Sequence, residues 1–183
     1  HMHRYAWAAG LCGGKDVLDI ASGEGYGSTL LAGCARSVVG VDISATAVAH
    51  AREKYAAATN LRFEQGSVTA VPLASASVDV VVSFETVEHL TEQRQMLAEL
   101  KRVLRPDGVL VISSPNKTVY SDDRQYTNEF HVKELYFHEF DALLREQFTA
   151  ITYLGQRLAT GSLVLPLRGY SESYQAITLT GDV

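Results

Sequence analysis

Short unbroken apolar runs alternate with amphipathic stretches along the first two thirds of the chain, and each type predicts its own element. Val17–Ile20 is apolar, passes into the small residues Ala21-Ser22-Gly23-Glu24-Gly25-Tyr26-Gly27, and is followed by Leu30-Leu31 at the start of an apolar helical face. Strand, glycine turn and helix is the natural reading. A second run, Ser37–Val41, closes at Asp42, and Ser44 is placed to cap a helix carrying Ala45, Val48, Ala49 and Arg52. Leu61–Glu64 alternates as a strand and stops at Gly66, while Val78–Phe84 is the most β-rich run. Thr91 is expected to cap a helix reaching Leu104, with Leu97, Leu100 and Leu104 on one face. Arg105-Pro106-Asp107-Gly108 then reads as a turn into a strand over Val109–Ser113.

Strands that are continuously apolar are buried on both faces, so the expected architecture is α/β, a parallel sheet covered by helices. Pro115–His131 is polar and aromatic and too long for an ordinary connection. Lys133–Arg145 suits a helix, Phe148–Leu154 a strand, and Tyr174–Thr180 a last strand. A single domain over residues 1–183 is expected, with His1-Met2 resembling an expression remnant, so the chain can be a piece of a longer protein.

Composition narrows the partners. The chain has 183 residues, 46% hydrophobic and 20% charged, with a net charge of −5. Nucleic acid and anionic membrane surfaces reward clustered positive charge, so neither is the expected partner. No apolar run is long enough to span a bilayer, and no signal peptide is recognised. Cys12 and Cys34 form no CxxC pair, which argues against a zinc knuckle or disulfide framework and for a reducing, cytoplasmic setting.

Glycine where a strand hands over to a helix permits a tight turn and lets backbone approach a ligand closely. The turn is not a dinucleotide fingerprint, because Ser28 stands where GxGxxG needs its third glycine. Asp42 ends the second strand, where an acid can accept hydrogen bonds from ribose hydroxyls. A capping role explains Asp42 equally well until the glycine turn is added; together the two favour a ribose-bearing ligand. Gly66-Ser67 leaves room for a base at the end of the third strand.

These segments, in this order, resemble class I S-adenosylmethionine-dependent methyltransferases of the small-molecule type, similar to the ubiquinone-biosynthesis enzymes and to methyltransferase domains of bacterial polysaccharide biosynthesis proteins. Val17–Gly25 resembles the first motif, with Ala21 in place of its first glycine; Val39–Ser44 resembles the acidic ribose motif; Val78–Glu85 and Leu100–Gly108 resemble the fourth-strand motif and the turn into the fifth strand. The resemblance implies a Rossmann-like open, mostly parallel sheet with helices on both faces and an antiparallel last strand. It implies S-adenosylmethionine as cofactor and S-adenosylhomocysteine as product. Asp19, Ala21, Ser22, Gly23 and Gly25 would meet the cofactor's amino-acid part, Asp42 its ribose, Ile43, Gly66, Ser67 and Val68 its adenine, and Phe84 and Glu85 its methionine portion. Tyr5 could reach the cofactor carboxylate, though a packed aromatic explains it as well.

Glu85, Glu88 and His89 fall at i, i+3 and i+4 of an expected helix start, so one face would present all three. ExxEH resembles a pattern that can hold a divalent ion in ubiquinone-type enzymes. Two acids near a helix start and one hydrogen-bonded histidine account for it without a metal, and no metal ligand is assigned. His131, Glu85 and His89 are the candidate bases for a hydroxyl acceptor, and a helix-capping histidine is the competing reading of His131. Tyr120, Tyr126, Phe130, Asp122 and Asp123 would form a lid suited to a sugar or another flat polar acceptor. The expected function is O-methylation of a small molecule or glycan, with fused or associated glycosyltransferase domains implied by the resemblance alone. A non-catalytic cofactor-binding module and a nucleotide-dependent oxidoreductase are the rival classes.

Overall fold

The computed structural model describes residues 1–158 and 162–166. Contacts divide the chain into two compact units, His1–Gln147 and a second beginning at Phe148.

The first unit opens with helix α1 (Met2–Cys12), then strand β1 (Asp16–Ile20), α2 (Tyr26–Ala32), β2 (Ser37–Asp42), α3 (Ala45–Lys54), β3 (Leu61–Gln65) and β4 (Val78–Phe84). A 3₁₀ turn at Val87–His89, α4 (Gln93–Val103), β5 (Leu104–Ser113), a short π turn at Thr118–Asp122 and α5 (Phe137–Arg145) complete it. The sheet order is β3-β2-β1-β4-β5, and every pairing is parallel. This is the expected open α/β sheet, and its carboxyl ends gather the glycine turn, Asp42, Gly66 and Glu85 on one edge.

Valine-rich strands form the centre because both faces are sealed. Val17, Val38, Val80 and Val82 pack with Tyr5, Ala8 and Cys12 of α1 and Leu31 of α2. Their strand neighbours Leu18, Val39 and Val81 point to the other face and are equally buried. On α4, Met96, Leu97, Leu100 and Val103 are fully enclosed. At roughly 1.5–3 kcal/mol per buried aliphatic side chain, these layers supply the main drive to fold.

Several expected boundaries are corrected. The fourth helix starts at Gln93, not at a Thr91 cap, because the buried Gln93 amide donates to the carbonyls of Val87 and Lys133. Thr91 instead donates to Glu92. Arg105–Gly108 is an irregular step inside β5: Val78 pairs with Leu104 but Val80 with Val109. The step lets Arg105 reach across to Asp79 at 2.6 Å and Asp16 at 3.1 Å. The expected helix from Lys133 begins only at Phe137, since the Lys133 amide donates to the Glu88 carbonyl and Leu135 bridges to Asn116.

In the second unit, Phe148–Tyr153 is not strand; β6 (Leu154–Leu158) pairs antiparallel with β7 (Ser162–Pro166) in a two-stranded sheet. No antiparallel strand joins the main sheet among the described residues. The proposed last strand, Tyr174–Thr180, lies outside the described residues.

Candidate cofactor and acceptor site

Three left-handed residues shape the turn after β1: Ala21 at φ 61°, Gly23 at 53° and Gly25 at 82°. Glycine adopts this region freely, whereas alanine pays about 1–2 kcal/mol. The methyl group of Ala21 therefore costs through backbone conformation rather than through bulk. Gly25 also could not carry a side chain, because a Cβ would lie 2.5 Å from the Phe63 ring. At Gly23 a Cβ would meet nothing within 4 Å, so this stretch of backbone borders open space. Ser22 Oγ is buried there without a hydrogen-bond partner.

Asp42 organises the loop. One carboxylate oxygen accepts from the Gly23 amide at 2.8 Å and the other from the Ser44 amide at 2.8 Å, and Ser44 caps α3 by accepting from Ala47. Each oxygen keeps lone-pair capacity for a further donor, which suits a ribose diol. Ile43 beside it is 73% exposed, an apolar side chain with no core to join. Gly66 is pressed against Pro72 and Val41, where a Cβ would come within 2.6 Å of the proline ring. The Ser67 hydroxyl is engaged with Thr69 at 2.8 Å, on the same turn as Val68.

Asp19 lies beneath the turn, between α1 and α2. It is fully buried, with its oxygens accepting from Tyr5 Oη at 3.0 Å and Ser28 Oγ at 2.6 Å. Burial pushes its carboxyl up to about 6 despite those two donors. Tyr5 is the packed aromatic of the two readings: it meets Phe84 edge-on at 5.0 Å and covers Gly27 so closely that a Cβ would lie 2.0 Å from its ring.

The expected Glu85–Glu88–His89 face does not form. Glu85 takes φ 52°, outside helical space, and turns toward Arg4 at 2.8 Å and Ser113 Oγ at 2.7 Å. Glu88 instead points inward, fully buried, with neither carboxylate oxygen hydrogen-bonded. Desolvation pushes its carboxyl up to about 7. Its carbonyl accepts from the amides of Val132 and Lys133, each at 2.9 Å, and so draws the segment containing His131 against the end of β4.

His89 and His131 thereby meet edge-on, ring centroids 5.0 Å apart. His89 Nδ1 donates to the Phe130 carbonyl at 2.7 Å. His131 Nδ1 lies 2.5 Å from Glu134 Oε1. Glu88, His89 and His131 offer atoms all within 4.8 Å of one another, so among the described residues these are the side chains that could hold a cation. His131 also borders a cleft of about 490 Å³ with Lys117, Asp122, Tyr126, Asn128 and Glu134. The structure thus brings His89 and His131 together and sets Glu85 apart. Arg4, Ser28 and Glu134 are the residues sequence reasoning missed; of these only Glu134, three residues after His131, carried a readable spacing.

Residues 18–112 match the family model described as "Methyltransferase domain". The chain belongs to the class I S-adenosylmethionine-dependent methyltransferases. A probable S-adenosylmethionine-dependent methyltransferase of Mycolicibacterium smegmatis is 43% identical over 141 residues, 76% of this chain and 54% of that protein. A similarly named protein of Mycobacterium tuberculosis is 42% identical over 145 residues, 79% of this chain and 52% of that protein. The chain therefore spans about half the length of the curated relatives it matches. Among solved structures, the YcgJ protein from Bacillus subtilis superposes with a TM-score of 0.71 at 22% identity, over 85% of this chain and 70% of that chain, a likeness of fold. S-adenosylmethionine is the family's cofactor, and the residues present fit it: open backbone at Gly23, an unpartnered Ser22 hydroxyl, the Asp42 carboxylate and exposed Ile43.

Proposed function

We propose that this methyltransferase acts on a hydroxyl of a polar small molecule or glycan, with His131 as general base. The observation that carries the reading is His131 on the wall of the cleft, its Nδ1 committed to Glu134 and its Nε2 turned away from that carboxylate. When bound, S-adenosylmethionine supplies a methyl group already activated on a sulfonium. The protein's part is then to hold the acceptor in line and take its proton. Orientation alone can lower the barrier by about 7–11 kcal/mol, and a positioned base adds roughly 100- to 10,000-fold in rate.

Asp42 would hold the ribose, with Ile43, Gly66, Ser67 and Val68 beside the adenine and the Ala21–Gly25 backbone along the amino-acid part. Phe84 would act by packing Tyr5 against the turn. Glu85 is already paired with Arg4 and Ser113, which favours His131 over it as base. His89 would assist from the ring beside it. A cleft with the Tyr126 ring, a lysine and amide and carboxylate groups suits hydroxyl-rich molecules, which offer both donors and an apolar face.

A radiolabelled methyl-transfer assay across a panel of simple hexosides tests the reading, with calorimetry for cofactor affinity on the same preparation. His131→Ala should lose about 100- to 10,000-fold in rate with nearly intact cofactor affinity. Normal turnover in that variant would remove His131 from the mechanism.

A further inference from the structure

His131 is one member of a longer hydrogen-bonded chain, and the chain determines which of its nitrogens is free. Nδ1 lies 2.5 Å from Glu134 Oε1. A carboxylate has no proton to give, so Nδ1 carries the hydrogen and donates. Nε2 lies 3.1 Å from the Asn128 side-chain nitrogen, which can only donate, so Nε2 is bare and accepts. The orientation of the Asn128 amide is fixed independently, because its oxygen accepts from the Phe130 amide at 3.0 Å and its nitrogen also donates to Tyr120 Oη at 3.2 Å. The same tautomer follows from either end of the imidazole.

Glu134 is itself held. Ser121 Oγ donates to its second oxygen, tying it to the π turn, and the adjacent Leu135 accepts from the Lys117 amide at 3.1 Å. The His131 and Glu134 side chains are 8% and 9% exposed, so water competes little for the contact between them. Tyr120 stacks on the imidazole at 5.2 Å and fixes its plane.

We propose that Glu134 is the positioning residue for His131: it holds the proton on Nδ1, presents Nε2 as the proton-accepting atom, and stabilises the imidazolium that forms. This deepens the proposed function and rests on its reading of His131 as the base. In the step, the acceptor oxygen forms its bond to the methyl carbon as the carbon–sulfur bond breaks and its electron pair passes to sulfur. The hydroxyl proton moves to Nε2, and the resulting positive ring lies against the Glu134 carboxylate. Asn128 yields Nε2 to the incoming hydroxyl while keeping its bond to Tyr120. Although Glu134 borders the cleft, its two oxygens are engaged by His131 and Ser121, so it acts through His131.

Nitrogen-15 spectra of the histidine rings read the tautomer directly, with a chelator present to exclude metal and with no acceptor needed. Wild-type protein should show His131 protonated on Nδ1 and bare on Nε2. Glu134→Ala should shift the ring toward the Nε2-protonated tautomer, lower hexoside methylation about 10- to 100-fold, less than the loss of the base itself, and leave S-adenosylmethionine affinity unchanged. Glu134→Gln keeps an oxygen facing Nδ1 and should restore the tautomer, with turnover between the other two. A wild-type ring protonated on Nε2, or a Glu134→Ala ring still protonated on Nδ1 with normal turnover, would overturn the proposal. Should Glu134→Ala fail to fold, the wild-type and Glu134→Gln spectra decide it. Normal turnover in His131→Ala would instead strike the choice of base, an outcome separate from the tautomer result.

Discussion

A fully buried carboxyl without a hydrogen bond is the most costly single group in the site, and Glu88 carries it. Burial raises its pKa from 4.5 in the open chain to about 7 when folded. Between those values the folded state binds the proton that the unfolded state has released, so stability falls as pH rises through this window and levels off above it. At 1.36 kcal/mol per pH unit the loss is on the order of 3 kcal/mol. Glu88→Gln cannot ionise and removes that slope. Asp19, also raised, to about 6, is common to both proteins and cancels. The stability difference between wild type and Glu88→Gln should therefore move by about 2–3 kcal/mol in favour of the variant between pH 5 and pH 8, measured by urea unfolding; a constant difference would mean Glu88 titrates as an ordinary carboxyl. Little of this was readable beforehand. ExxEH predicts three groups on one helical face, but the left-handed φ at Glu85 breaks the periodicity that prediction depends on. Asp42 and the glycine turn were legible because their placement follows from strand ends, which apolar runs mark well.

Among the elements, α1 does the most that its pattern did not announce. The sequence reading assigns no element ahead of the first strand, yet Tyr5, Ala8 and Cys12 fall on one helical face and are buried. Through Tyr5 the helix reaches Asp19, and through Arg4 it reaches Glu85, so α1 supports both strand ends that border the site. Its close approach to α2 depends on Gly27. Gly27→Ala gains about 1 kcal/mol of helix propensity, but the added Cβ would sit 2.0 Å from the Tyr5 ring. Displacing that ring costs roughly 1–3 kcal/mol in overpacking, and it strips a donor from the buried Asp19 carboxyl, about 1–3 kcal/mol more. A net loss of about 2–3 kcal/mol in urea unfolding is expected, and unchanged stability would show that α1 does not dock through this contact. Val78–Phe84 was legible to the residue because four valines admit no other element. The starts of α4 and α5 were not, because long-range bonds from Gln93 and Lys133 set them.

At the scale of the whole molecule, every residue assigned to cofactor or proton transfer lies within His1–Gln147, and that span is also one compact unit. Its sheet is closed on both faces by its own helices, its helix α5 ends at Arg145, and the His131–Glu134 contact is made between residues of the same span. The family model likewise ends at residue 112, well inside it. A single domain over residues 1–183 is the reading of the sequence, from its length and its lack of internal repeats and low-complexity tracts. Compactness is a property of contacts, which composition does not report. The physical expectation from the contacts is that residues 1–147 carry enough core to fold alone, since a span of this size buries roughly two thirds of its unfolded surface. Expressed by itself, that segment should unfold cooperatively and bind S-adenosylmethionine within about threefold of the full chain, a difference below 1 kcal/mol. Calorimetry on both proteins measures the affinity, and urea unfolding measures cooperativity. A segment that binds more than tenfold more weakly while still folding would show that residues beyond Gln147 contribute to the cofactor site; one that does not fold would show that they contribute to the core.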